Sequence, residues 1–128
     1  MRVLFVCTAN LCRSQVAAEV FRVLTWTATG RQRHEARSAG TNPPPGGRPV
    51  TEADLEWADV VCVMEPEHAE QIRARWATAI AKIRVLGIPD IYSREDPELK
   101  DLLTTRMRRL LLDAARDRDT SDSRSRPS

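Results

Sequence analysis

Apolar residues fill every position from Val3 to Val6, with no alternation to polar ones. A short β-rich run of that kind predicts a strand buried on both faces. From Ser14 the period changes. Val16, Ala17, Val20, Phe21 and Leu24 recur at helical spacing, which predicts a helix to about Trp26, ended by Gly30 and a polar stretch. "HEARSAGT" leaves room for an edge strand around Ala36. "TNPPPGGRP" suits neither helix nor central strand, because proline lacks a donor and glycine lacks stiffness, so it reads as a surface loop.

The second half repeats the alternation. "TEADLEWA" reads as a short helix, with Thr51 as N-cap and Asp54 completing a box-like pattern. "DVVCVME" is a second strongly apolar strand. "PEHAEQIRARW" opens with Pro66 in a first helical turn and sets Ala69, Ile72 and Trp76 on one face. "KIRVLGI" is a further strand, closed by Pro89. Pro97 opens the last helix, with Leu99, Leu102, Leu103, Met107, Leu110, Leu111 and Ala114 along one stripe. After Asp113 almost nothing is apolar. Residues 1–115 are therefore expected to form a single domain, and 116–128 a polar, flexible tail. Trp26, Trp57 and Trp76 lie in helical patterns and are expected to pack, whereas His34 and His68 are expected at the surface.

Strands that alternate with helices predict an α/β fold of three layers. It would have a small parallel four-stranded sheet, helices on both faces, and a loop after the first strand whose chemistry, taken up below, suits phosphate binding. Right-handed crossovers put the strand-to-helix loops at one edge, where ligands of such sheets bind. The Cys7–Arg13 loop and the segment after "KIRVLGI" both belong to that edge.

Composition narrows the chemistry. A chain of 128 residues can bury a real core. A net charge of +2 gives no reason to expect nucleic acid or a membrane surface as partner. The apolar runs are too short to cross a bilayer. The opening "MRVLFVCTAN" reads as a first strand of a cytoplasmic protein rather than a leader, because Asn10 and Arg13 follow its short apolar run at once. Cysteines stand only at 7, 12 and 62, which argues against a disulfide scaffold. No C-x-x-C pair and only two histidines make a structural zinc site an unpromising expectation.

"VCTANLCRSQ" at 6–15 carries the chemistry. A loop of this length between a buried strand and a helix N-terminus can converge its N–H groups on one oxyanion. Arg13 adds a planar fork able to bind two phosphate oxygens. Cys7 would lie at the bottom of the cradle, where donors that hold a dianion also stabilise a thiolate. A thiolate below a bound phosphate is placed for in-line attack on phosphorus, and Ser14 can donate to it.

These residues resemble a known family. "VCTANLCRS" is similar to the V-C-x-G-N-x-C-R-S signature of the low-molecular-weight protein tyrosine phosphatases. "SAGT" at 38–41, "ADVVCVMEPEH" and "IPDIY" at 88–92 resemble later anchors of that family, in the same order over about residues 2–115. The pairing of I-P-D-x-Y with D-P-E-L resembles a shortened bacterial branch. The chain departs from the pattern with Ala9 for glycine, Gln15 for proline, Ile91 for proline, and a Pro/Gly-rich stretch where a longer helical segment is usual.

The resemblance implies a cysteine-dependent phosphatase acting on phosphotyrosine proteins or small aryl phosphate esters through a cysteinyl-phosphate, with no metal and no cofactor. Cys7 would be the nucleophile. Arg13 would bind the phosphoryl group together with Thr8, Ala9, Asn10, Leu11, Cys12 and Ser14. Asp90 would be the general acid, with Asp96 the competing carboxylate, and Tyr92 would pack over the substrate ring or only cover the loop. A reversible Cys7–Cys12 disulfide is a further expectation, and Cys62 reads as core. Two rival readings stand beside this one: an arsenate reductase built on the same loop, and a phosphate-binding module with little turnover.

Overall fold

The computed structural model describes residues 1–28 and 34–125. Strand β1 (Arg2–Cys7) lies inside a four-stranded, all-parallel sheet. Its neighbours are β2 (Glu35–Gly40) on one side and β3 (Val60–Val63) on the other, with β4 (Ile83–Val85) beyond β3. The order is thus β2-β1-β3-β4. Val3 to Val6 have no exposed surface, as an unbroken apolar run requires.

Alternate residues of β1 feed two cores. Val3, Phe5 and Cys7 pack with Val16, Ala17 and Phe21 of α1 (Arg13–Ala28) and with Leu99, Leu103 and Met107 of α4 (Pro97–Ser125). The Phe5 and Phe21 rings meet edge to face, with centroids 5.8 Å apart. Leu4 and Val6 point the other way. They join Leu55 of α2 (Glu52–Trp57) and Ala69 and Ile72 of α3 (Pro66–Arg75). The expected three-layer α/β architecture is therefore present, with helices on both faces of the sheet.

Register decides where the site forms. Cys7 is level with Gly40, Val6 with Val63, and Val63 with Val85. The carboxyl ends of all four strands meet at one edge, and the segments leaving them are the ones that carry the motif residues.

The structure also differs from the sequence expectations. Trp26 is 87% exposed and packs against nothing among the described residues, because it lies five residues past Phe21 and so about 140° around the helix. Trp57 and Trp76 do pack, each with an arginine over its ring: Arg37 at 4.1 Å and Arg75 at 4.4 Å. A 3-10 helix, Ala77–Lys82, was not anticipated, since "ATAIAK" is too short to show a period. The last helix continues to Ser125, into the segment the sequence assigns to a tail. An Arg109–Asp113 pair at i,i+4 and the helix-forming Ala114 and Ala115 support the turns that lead into it. Gly30, the expected stop of the first helix, lies outside the described residues. Among the described residues no helix is long and apolar enough to cross a membrane.

Candidate active site

β1 delivers Cys7 to the sheet edge, and α1 begins at Arg13, so the loop between them is pinned at both ends. Asn10 turns that loop. Its φ of 58° makes it the only non-glycine residue with positive φ among those described, a conformation asparagine tolerates better than most. Ala9, where the family pattern has glycine, does not share that positive φ. The turn aims the Asn10 N–H at Cys7 Sγ, 3.2 Å away. Ser14 Oγ lies 3.0 Å from the same sulfur and donates to Asn10 Oδ1 at 2.6 Å. Gln15 Nε2 donates to the Asn10 carbonyl at 2.7 Å, so the residue standing in for proline braces the loop.

The loop is also held from behind. Thr41 N–H donates to the Cys7 carbonyl at 2.9 Å, and Asn42 N–H to the Thr8 carbonyl at 2.8 Å. The chain can approach this closely only because residue 40 is glycine. A Cβ there would lie 2.6 Å from the Thr8 carbonyl oxygen and 3.1 Å from Asn10 N. That contact gives "SAGT" its physical meaning.

Arg13 is buried, and its guanidinium is held before any ligand arrives. Nη1 donates to the Glu65 carboxylate and to the Ile88 carbonyl, the latter at 2.8 Å. Nε faces Asp90 Oδ1 at 3.8 Å. Ile88 reaches the site because its N–H donates to the Met64 carbonyl at 2.8 Å, which prolongs the sheet edge past β4.

Glu65 and His68 join the site, although the sequence reading assigns neither a role in it. His68 is buried rather than at the surface, because the first turn of α3 carries it under the loop. Its Nδ1 accepts the Glu65 N–H at 3.1 Å, and its Nε2 lies 2.9 Å from Thr8 Oγ1. Burial, and then the Arg13 guanidinium, hold its pKa below the ordinary imidazole range. The signal was present in "EPEH": proline in the first turn, with a side-chain acceptor three residues after the N-cap. His34 is half-buried, with its ring edge-on to Phe21.

The remaining candidates separate by environment. The Asp90 side chain is 72% exposed. Asp96 accepts the Glu98 N–H at 2.9 Å and so caps α4. Leu11 and Ile91 are exposed, and half-buried Tyr92 accepts a bond from Cys12 Sγ through its carbonyl at 3.6 Å. Burial first, then the Cys7 and Asp90 charges, raise the Cys12 pKa. Cys62 is wholly buried, and its thiol is pushed up to about 12. No disulfide joins the three. A sulfur that receives an N–H and lies against a hydroxyl, on a loop that ends at a buried guanidinium, is placed to attack an oxyanion held by that loop.

The sequence profile described as "Low molecular weight phosphotyrosine protein phosphatase" matches residues 2–52, the segment from β1 to the start of α2. No curated protein sequence matches the chain. Among solved structures it is similar to a low molecular weight protein tyrosine phosphatase from T. tengcongensis, with 25% identity and a TM-score of 0.74. That alignment covers 88% of this chain and 99% of the other. It is similar to the tyrosine phosphatase Wzb from Escherichia coli K30, solved with phosphate, with 25% identity and a TM-score of 0.67 over 85% and 94% of the two chains. It is also similar in fold to the YwlE arginine phosphatase from Geobacillus stearothermophilus, with 22% identity and a TM-score of 0.69 over 99% and 98%. The resemblance seen in the motifs is borne out by the profile over residues 2–52 and by the fold across most of the chain.

Proposed function

We propose that this chain, a phosphomonoesterase of the low-molecular-weight phosphotyrosine phosphatase type, hydrolyses phosphotyrosine or another aryl phosphate through a cysteinyl-phosphate. One observation carries the reading: at the end of the innermost apolar strand, Cys7 Sγ meets the Asn10 N–H at 3.2 Å and Ser14 Oγ at 3.0 Å. The N–H donates to the sulfur, and the hydroxyl lies within hydrogen-bond reach of it.

In the first step the Cys7 sulfur forms a bond to phosphorus as the ester P–O bond breaks. Arg13 keeps Nη1 on Glu65 and Ile88, which leaves Nε and Nη2 for two phosphoryl oxygens. The loop N–H groups stabilise the others as charge builds in the transition state. Asp90 is exposed, near Arg13 Nε and not engaged as a cap. It protonates the leaving phenolate, then takes a proton from the water that attacks the cysteinyl-phosphate.

Ser14 has one hydroxyl hydrogen for two acceptors. With a Cys7 thiol, S–H donates to Ser14 Oγ, which donates to Asn10 Oδ1. With a thiolate, that hydrogen swings to sulfur and eases its departure from phosphorus. Arg13 and the amides supply the positive charge, so the rate should survive a chelator.

An arsenate reductase would pass oxidation from Cys7 to further thiols. Cys62, fully buried in β3, is a poor relay, which weighs against that reading. The binding-module reading rests on Ala9, Gln15 and the short Pro/Gly-rich stretch, and the loop geometry accommodates the first two.

The test is hydrolysis of an aryl phosphate, followed by phosphotyrosine, phosphoserine and phosphoarginine peptides. Cys7→Ser should abolish turnover and still bind inorganic phosphate. Retained turnover in that variant overturns the mechanism. Faster hydrolysis of phosphoarginine than of phosphotyrosine overturns the substrate class.

A further inference from the structure

We propose, resting on the phosphatase reading above, that His68 is a positioning residue that ties both ends of the phosphate cradle to the first turn of α3. Three observations lead there. The ring is 3% exposed, yet both its nitrogens are engaged. One reaches Thr8, the first residue after the nucleophile, at 2.9 Å. The other holds the backbone of Glu65, whose carboxylate holds Arg13 at the far end of the loop.

The donors can be assigned. A backbone N–H can only donate, so the Nδ1 that meets Glu65 N is the acceptor. A neutral imidazole then carries its hydrogen on Nε2, which donates to Thr8 Oγ1. One lone pair of the threonine oxygen is thereby occupied from inside the protein. Its own hydrogen is left to donate elsewhere, and Thr8 is exposed on the loop. We take the bound phosphoryl group as its acceptor.

A glutamate or glutamine at this position of the helix would cap it as well. The imidazole does more. Its rigid ring spans from the Glu65 backbone to the Thr8 hydroxyl, which a simple cap does not do.

Four single variants and one double variant separate positioning from capping. His68→Asn keeps an acceptor near the Nδ1 place and so keeps the helix cap, but it cannot reach Thr8. Thr8→Val removes the hydroxyl, and Thr8→Ser keeps it. Inorganic phosphate is titrated into each, and thermal unfolding is followed alongside. His68→Asn and Thr8→Val should each weaken phosphate binding about three- to tenfold, the range of one hydrogen bond. The double variant should be no weaker than Thr8→Val alone, since both break one connection. Thr8→Ser should stay within about twofold of wild type. His68→Ala, which also releases Glu65, should lower kcat on an aryl phosphate at least about tenfold further than His68→Asn.

Wild-type phosphate affinity in His68→Asn or Thr8→Val overturns the assignment. So does an additive double variant, or a lowered Tm with unchanged affinity, which would leave His68 a helix cap alone. Should His68→Ala fail to fold, the other variants decide. Phosphate titration needs no turnover. A wild-type protein that binds phosphate, shows these losses and hydrolyses nothing therefore sinks the phosphatase reading and keeps His68. A wild-type protein that binds no phosphate sinks both.

Discussion

Arg13 commits one nitrogen to the protein before it meets a substrate, and that division limits what can replace it. A lysine cannot hold Glu65 and the Ile88 carbonyl while also presenting two donors to phosphate. Arg13→Lys should lower kcat on the order of a hundredfold or more. A near-normal kcat would show that any cation suffices. The two candidate acids are as distinct. Asp96 is engaged by a backbone N–H at a helix start, whereas Asp90 stands exposed near Arg13. Asp90→Asn should slow esters with poor leaving groups far more than those with good ones, and Asp96→Asn should chiefly lower stability. The reverse pattern in steady-state kinetics would move the acid to Asp96. Cys7, Arg13 and Ser14 were legible in the sequence because they are contiguous, so spacing alone describes their geometry. Glu65 and His68 were not. They reach Arg13 and Thr8 across 52 and 60 residues, and only the register of β3 against β1 brings them there.

Among the elements, β2 carries the clearest constraint. Gly40 shares its level with Cys7, and the loop rests on its bare Cα. Gly40→Ala would press a methyl against backbone, which has nowhere to go. It should cost about 1–3 kcal/mol of stability in denaturant titration and should abolish phosphate binding, since the atoms displaced belong to Thr8, Ala9 and Asn10. Unchanged phosphate affinity in that variant would mean the loop can yield. Elements with a sustained period were readable: β1, α1, β3 and the apolar stripe of α4. The box at Thr51 and Asp54 was readable too, and it is present, with Asp54 also taking Arg48 at 2.6 Å. The 3-10 turn at Ala77–Lys82 was not, because its anchor is tertiary: Lys82 Nζ donates to the Leu55 carbonyl at 2.9 Å. The exposure of Trp26 escaped for another reason. Residue type alone suggested packing, while the helical angle set it on the solvent side.

At the scale of the whole molecule, acid should destabilise the fold through His68. Its folded pKa lies below the ordinary value of about 6.5, chiefly from burial and next from Arg13, with Glu65, Glu67 and Asp90 pulling the other way. Below pH ~6.5 the unfolded chain therefore takes up a proton before the folded one, and stability falls as pH falls toward the folded value. The denaturant midpoint should drop between about pH 7.5 and 5.5, with a shallower drop in His68→Asn; equal slopes in the two proteins would contradict this. The sheet order has one more consequence, for the protein during its own synthesis. Every pairing in this sheet is parallel, so each strand must wait for a partner far along the chain. A ribosome would release the Cys7 thiol long before Gly40 can back the loop, before Glu65 can hold Arg13, and before Ile88 can complete its seat. A nascent chain is thus armed early and competent late, and a fragment limited to residues 2–52 would display the family signature with none of its chemistry.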